Sequence, residues 1–147
     1  MSKLAIYGGS PIIKHPNVIH KPYPKIGVNE RKSISEVLRS GKLWGTWGPK
    51  VRQLELKWAK YIRTKYCISV CSGTSALHCA LFGCNIKPGD EILVPAYSFI
   101  ATASCALMIN AIPVFVDVNE DGNIDINQIE KFINKKTKAI IVVHLHG

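Results

Sequence analysis

After Lys65 the sequence alternates short apolar runs of β type with segments of helical periodicity, and this alternation constrains the fold more than any other feature. Strands are expected at residues 67–71, 91–95, 113–118 and 138–145, with helices at 74–84, 99–110 and 126–135. Continuous apolar strands separated by helices of that length need a parallel sheet covered on both faces, built from right-handed βαβ crossovers. The expected fold class is therefore α/β, with four parallel strands.

The preceding residues read differently. Pro11, Pro16, Pro22 and Pro24, together with Gly8, Gly9 and Gly27, are too dense for any long regular element, so residues 1–28 form an arm. Residues 29–65 form a helical lead-in. Asn29 is the expected N-cap of a helix reaching Arg39, with Ile34, Val37 and Leu38 at helical spacing and Gly41 just past its end. A turn-rich stretch from Gly41 to Gly48 carries Trp44 and Trp47. Pro49 suits the first turn of a second amphipathic helix, in which Val51, Leu54, Trp58, Tyr61 and Ile62 recur at three- and four-residue intervals. Residues 66–147 form the α/β domain, which reads as incomplete. Ile140-Ile141-Val142-Val143 is a buried-type strand, and four residues later the sequence ends without a helix to cover it. The expectation is a fragment, an interrupted reading frame or one piece of a larger assembly. The last strand would be an edge that pairs with other chains and lowers solubility.

Composition excludes several classes. With 147 residues, 47% hydrophobic and 20% charged, the chain can bury one sizeable core and is neither a disordered tail nor a disulfide miniprotein. No stretch approaches the roughly 20 uncharged apolar residues that span a bilayer, and no apolar signal run follows Lys3, so the expected location is the cytoplasm, with no membrane partner. The net charge of +9 is unevenly placed: residues 1–65 carry fourteen Lys/Arg against three acids, and residues 66–147 carry five against seven. The cations are scattered singly, with no polybasic block, zinc-finger spacing or RNP-like motif, so a lysine-rich solvated surface is favoured over nucleic-acid binding. Five cysteines, with Cys67/Cys71 and Cys79/Cys84 inside apolar segments and no CxxC spacing, suggest reduced, buried thiols.

The strongest local signal is Ser72-Gly73-Thr74-Ser75-Ala76-Leu77, placed where a strand gives way to a helix. Gly73 admits close backbone approach, and Thr74 and Ser75 offer hydroxyls beside the free amides of a helix N-terminus, which together would cup a phosphate. The plainer reading is a βα turn in which Thr74 caps the helix. The segment is neither a Walker loop nor a GxGxxG fingerprint. Pro95-Ala96-Tyr97-Ser98-Phe99 follows the next strand. Ligands of open α/β sheets sit outside the carboxyl ends of strands, so both loops are expected on one rim. An aromatic there could stack on a planar heterocycle or simply pack against its neighbours.

Two further patterns are weaker. Residues 117–125 match the first nine positions of an EF-hand loop, including Gly122 at position six. Position twelve is Gln128, however, and the preceding Pro-Val-Phe-Val reads as strand, so a solvated turn at Asp121-Gly122 with Asp125 near a helix start is preferred. His144 and His146 form an HxH pair on one face of a strand end, without further metal ligands at a convincing spacing. No metal is expected. His15, His20 and His78 read as structural or exposed.

Taken together, the chain resembles the DegT/DnrJ/EryC1/StrS family of PLP-dependent sugar aminotransferases, a branch of fold type I. The resemblance rests on Leu4-Ala5-Ile6-Tyr7-Gly8-Gly9-Ser10-Pro11, the Ser40-Gly41-Lys42-Leu43-Trp44-Gly45-Thr46 turn, Gly48-Pro49-Lys50-Val51, the segment Ser72 to Leu77 and the run Pro88 to Pro95. Ser98-Phe99-Ile100-Ala101-Thr102-Ala103, the run Pro113 to Val118 and Val143-His144-Leu145-His146-Gly147 complete it, all in family order. The opening Gly-Gly and Trp-Gly-Thr look most like the cyclitol and aminoshikimate branch.

The resemblance implies that Thr74 and the amide of Ser75 hold the phosphate of pyridoxal 5'-phosphate, that Gly73 permits the approach, and that Phe99 stacks on its ring. It implies a homodimer that moves an amino group from glutamate or glutamine to a keto sugar or cyclitol, with residues 66–147 as part of the PLP-binding domain. It also places the Schiff-base lysine, and the aspartate that pairs with the pyridine nitrogen, beyond Gly147. No catalytic residue is then expected in this chain, which alone should not transaminate. The rival readings are a PLP-dependent sugar dehydratase of the same family and a non-catalytic remnant or anion-binding module.

Overall fold

The computed structural model describes residues 3–14 and 23–146; His15, Pro16, His20 and Pro22 of the arm lie outside them. The chain divides into two compact units, Met1–Lys57 and Trp58–Gly147.

In the first unit, the arm's only regular element among the described residues is a single 3-10 turn, Ala5–Tyr7, closed by Gly8 at φ 86°. Helix α1 spans Val28–Ser40 and begins two residues earlier than the sequence suggested. Gly27, not Asn29, is its N-cap: the Gly27 amide donates to Glu30 Oε2 at 2.7 Å, so the glutamate at the third helical position fixes the start. Gly41, at φ 65°, closes it in the left-handed conformation that a side chain would resist. Trp44 and Trp47 pack at 5.5 Å between ring centroids in the following turn. Helix α2, Pro49–Ile62, whose residues from Trp58 onward belong to the second unit, starts at the proline, whose missing N–H costs nothing in a first turn. Lys50 Nζ meets Glu36 Oε2 at 2.6 Å, which holds the glutamate carboxyl below its usual range. The amphipathic pattern is present, but its apolar face is not buried: Ile34, Leu38 and Leu54 are each more than half exposed.

The second unit carries a three-stranded parallel sheet of β1 (Glu91–Pro95), β2 (Ile112–Val116) and β3 (Thr137–Ile140), in the order β2-β1-β3. Its helices are α3 (Gly73–Gly83), α4 (Ala101–Leu107) and α5 (Ile126–Phe132). Alternation along β1 sends Ile92 and Val94 to one face, where they pack with Leu81 of α3 and with Ala103, Cys105 and Ala106 of α4. Leu93 goes to the other face with Val116 and Ile124, against Ile129 and Phe132 of α5. Helices thus cover both faces, as a parallel sheet requires.

The structure departs from the pattern expected of the sequence in three places. Residues 67–71 do not join the sheet, which has three strands and not four. Composition reports suitability for a strand, but a ladder needs a neighbour, and none of the three strands pairs with these residues. Strand β3 ends at Ile140, although the Ile141 amide still donates to Leu93 O at 2.9 Å. Finally, all five cysteines are free, but only Cys105 is buried; Cys67 is half-buried, and Cys71, Cys79 and Cys84 are exposed. Leu77 and Leu81 of α3 face the core, whereas Cys79 and Cys84 lie on the uncovered side of that segment, so apolar neighbours in sequence do not enclose them.

Candidate functional site

Helix α3 begins because Ser72, extended at φ −159° and ψ 163°, turns its hydroxyl back on the first turn: Ser72 Oγ accepts the Ser75 amide at 3.1 Å. Ser72, rather than Thr74, is therefore the cap. The amides of Gly73 and Thr74 are first-turn donors without an intrahelical acceptor, at the positive end of the helix dipole. A Cβ built on Gly73 meets nothing within 4 Å, so this glycine borders open space. Ser75 is engaged within the protein. Its amide serves the cap, and its hydroxyl lies 3.0 Å from Ser72 Oγ and 3.1 Å from Cys71 Sγ. That hydroxyl is the main cause of the lowered pKa of the Cys71 thiol.

The second component comes from the crossing between β1 and α4. The Ala96 amide donates to Val116 O at 2.8 Å, extending the ladder one step beyond β1, after which the chain turns through Ser98 and Phe99 into α4. Ser98 Oγ and Thr102 Oγ1 are 2.7 Å apart, one turn of helix from each other, and Thr102 is 6% exposed. Beside this pair the Phe99 ring is 75% exposed, so it is not packed into the core.

These parts meet in one cavity of about 620 Å³, lined by Gly73, Thr74 and Leu77 of α3, by Ser98, Phe99, Ala101 and Thr102, and by the consecutive residues 141–145 after β3. The volume lies within the range of small-molecule sites. Of the four residues that the sequence singles out, Gly73, Thr74 and Phe99 line the cavity and Ser75 does not. Tyr97 is also outside it; its ring lies beside Gly122. His144 lines the cavity and, among the described residues, is the only ionisable side chain that does, whereas His146 does not.

Residues 117–125 form the solvated turn. Asp121 Oδ1 accepts the Asn123 amide at 2.9 Å, Gly122 stands at φ 81°, and Asp125 caps α5 by accepting the Asn127 amide at 3.0 Å. Hydrogen bonds from Asn123 and from Gln128 lower the carboxyl pKa of Asp121 and Asp125, respectively. Among the described residues no three His, Cys, Asp or Glu side chains are grouped to hold a metal ion. No helix among them is long and apolar enough to cross a membrane.

Sequence reasoning missed Thr102 and the wall at residues 141–145. The four-residue spacing of Ser98 and Thr102 was a usable signal, since residues so spaced share a helix face. The sequence marked part of the wall through the His144–His146 pattern, but not that it faces this cavity, which depends on strand order.

Known proteins resemble this chain in sequence and fold. The model of the DegT/DnrJ/EryC1/StrS aminotransferase family matches residues 24–147. The L-glutamine:2-deoxy-scyllo-inosose aminotransferase of Streptomyces kanamyceticus is 36% identical over 153 residues, covering 99% of this chain and 35% of that protein. The crystal structure of an aminotransferase from Psychrobacter cryohalolentis superposes with a TM-score of 0.81 at 39% identity, over 86% of this chain and 32% of that one. NtdA of Bacillus subtilis, with bound cofactor PMP, superposes with a TM-score of 0.76 at 36% identity, over 83% and 29%. The chain thus spans about a third of the length of the relatives it matches. A family match over most of the sequence, together with the same fold in solved relatives, establishes that the chain belongs to the DegT/DnrJ/EryC1/StrS aminotransferase family.

Proposed function

We propose that this chain is the cofactor-anchoring part of a PLP-dependent aminotransferase that moves an amino group from glutamate or glutamine to a keto sugar or cyclitol. The observation that carries this reading is the shared cavity: the open first turn of α3 at Gly73 and Thr74 and the exposed ring of Phe99 border the same space. Pyridoxal phosphate fits these residues. It needs donors for a dianionic phosphate, a flat apolar surface for its ring, and a cavity of this size, and the open space at Gly73 is where a side chain would obstruct the phosphate.

When bound, the cofactor supplies the electron sink and carries the amino group between donor and acceptor. The chain's own residues do the holding. The amides of Gly73 and Thr74 and the Thr74 hydroxyl grip the phosphate, Ser72 keeps that turn formed, and Phe99 orients the ring. Ser75 backs this turn through its bonds to Ser72. Among the described residues no lysine lines the cavity, so the role read here for this part of the enzyme is to hold the cofactor. In this reading residues 1–28 are an arm, 29–65 a helical lead-in and 66–147 part of the PLP-binding domain, in a cytoplasmic homodimer.

The test is binding. Pyridoxamine 5'-phosphate and unphosphorylated pyridoxamine are titrated into the chain and followed by cofactor fluorescence. Preferential binding of the phosphorylated form, lost on substituting Thr74→Val together with Gly73→Val, is the expected result. Equal affinity for both forms would refute the phosphate-gripping role.

A further inference from the structure

Beyond the phosphate and the stacking ring, the cavity contains one polar group without an assigned task. Thr74 and the two first-turn amides are taken up by the phosphate in the reading above. Ser98 and Thr102 satisfy each other at 2.7 Å, and Thr102 is nearly sealed from solvent. That leaves His144. It is exposed, lines the cavity from the segment after β3, and makes no hydrogen bond to the described residues. Among the described residues it is also the only lining side chain with an N–H to donate. A pyridine-ring cofactor has polar atoms on its rim, and a rim atom brought into a cavity walled by Leu77, Ala101, Ile141, Val142 and Val143 loses water partners that something must replace.

We propose that His144 is a further cofactor-binding side chain, whose imidazole N–H donates to a polar atom on the rim of the ring that Phe99 stacks against. The inference rests on the cofactor reading of the cavity. It also gives the His-Leu-His pattern a role other than metal ligation: the wall that follows β3 is placed beside α3 and α4 by strand order, and only the first of its two histidines lines the space.

The test uses pyridoxamine 5'-phosphate, which has no aldehyde and so cannot attach to surface lysines, with inorganic phosphate as a second probe. Dissociation constants are measured for the unaltered chain, His144→Leu and His144→Gln, and thermal unfolding is recorded for each. The proposal expects His144→Leu to weaken pyridoxamine 5'-phosphate about tenfold, His144→Gln to restore affinity to within about threefold, and all three chains to bind inorganic phosphate equally, with unchanged unfolding. Unaltered pyridoxamine 5'-phosphate affinity in His144→Leu overturns the proposal while leaving the cofactor reading intact. Equal weakening of both probes, or no restoration by glutamine, also overturns it. If the unaltered chain binds neither probe, the cofactor reading fails and the His144 assignment fails with it.

Discussion

Ser72 Oγ accepts the backbone N–H of Ser75 at 3.1 Å, and this bond sets where α3 begins and which amides face outward. It uses the third donor of the first turn and leaves those of Gly73 and Thr74 for an anion. Ser72→Ala should cost about 1 kcal/mol in urea unfolding, the usual penalty for a lost N-cap. Ser72→Asp separates the cap from the ligand. An aspartate still caps and complements the helix dipole, so stability should hold, but its charge beside the phosphate should weaken pyridoxamine 5'-phosphate binding. If Ser72→Asp bound the anion as well as the unaltered chain does, the phosphate would lie elsewhere.

Two glycines of the second unit predict opposite outcomes. A Cβ at Gly122 would stand 2.8 Å from Leu145 Cδ2, and the residue sits at φ +81°. Gly122→Ala should therefore destabilise the chain by about 1–2 kcal/mol, from the left-handed conformation alone. It should also disturb the cavity wall that Leu145 helps to form. Gly73 has open space around it, so Gly73→Ala should be neutral or stabilising by up to about 1 kcal/mol in the helix while weakening cofactor binding. Thermal unfolding and ligand titration of both variants decide the matter.

Phe99 is exposed, so its removal should cost binding and not folding. Phe99→Ala is expected to weaken pyridoxamine 5'-phosphate by the value of one aromatic stack, about 0.5–1.5 kcal/mol or roughly two- to twelvefold, with an unchanged melting temperature. A lowered melting temperature at constant affinity would identify the ring as a packing group.

Asp125 provides a pH signature independent of any ligand. Hydrogen bonds from Gln128 and Asn127 to its carboxylate lower its pKa in the folded chain below the ordinary value of 3.8. The folded state therefore holds this proton less tightly than the unfolded state does. The resulting stabilisation is complete above the ordinary value and fades as pH falls through the lowered one. Carbon NMR titration of the carboxyl should show the depressed midpoint, and Asp125→Asn should reduce the acid sensitivity of α5. A midpoint at or above the ordinary value would show that the cap is not formed.

Much of this architecture was legible in the sequence where a residue acts locally. The bounds of β1, the proline start of α2, the glycine stop of α1 and the turn at Gly122 each follow from the chemistry of one or two residues. The errors arose where the outcome depends on a neighbour. Residues 67–71 have the composition of a strand, but a strand is defined by its partner. The Asn29 cap lost to Gly27 because Glu30 reaches back to the Gly27 amide. Within the site, Thr74 and Phe99 were identifiable from their loops, whereas His144 depended on the crossover that carries β3 to the far side of β1.

The account depends on one ligand bridging two elements, which amide and aromatic NMR can observe together. As pyridoxamine 5'-phosphate is added to the labelled chain, the account predicts that the Gly73 and Thr74 amide signals and the Phe99 ring signals will shift along a single saturating curve with one dissociation constant. Shifts confined to either group, or the two groups following different curves, would contradict it.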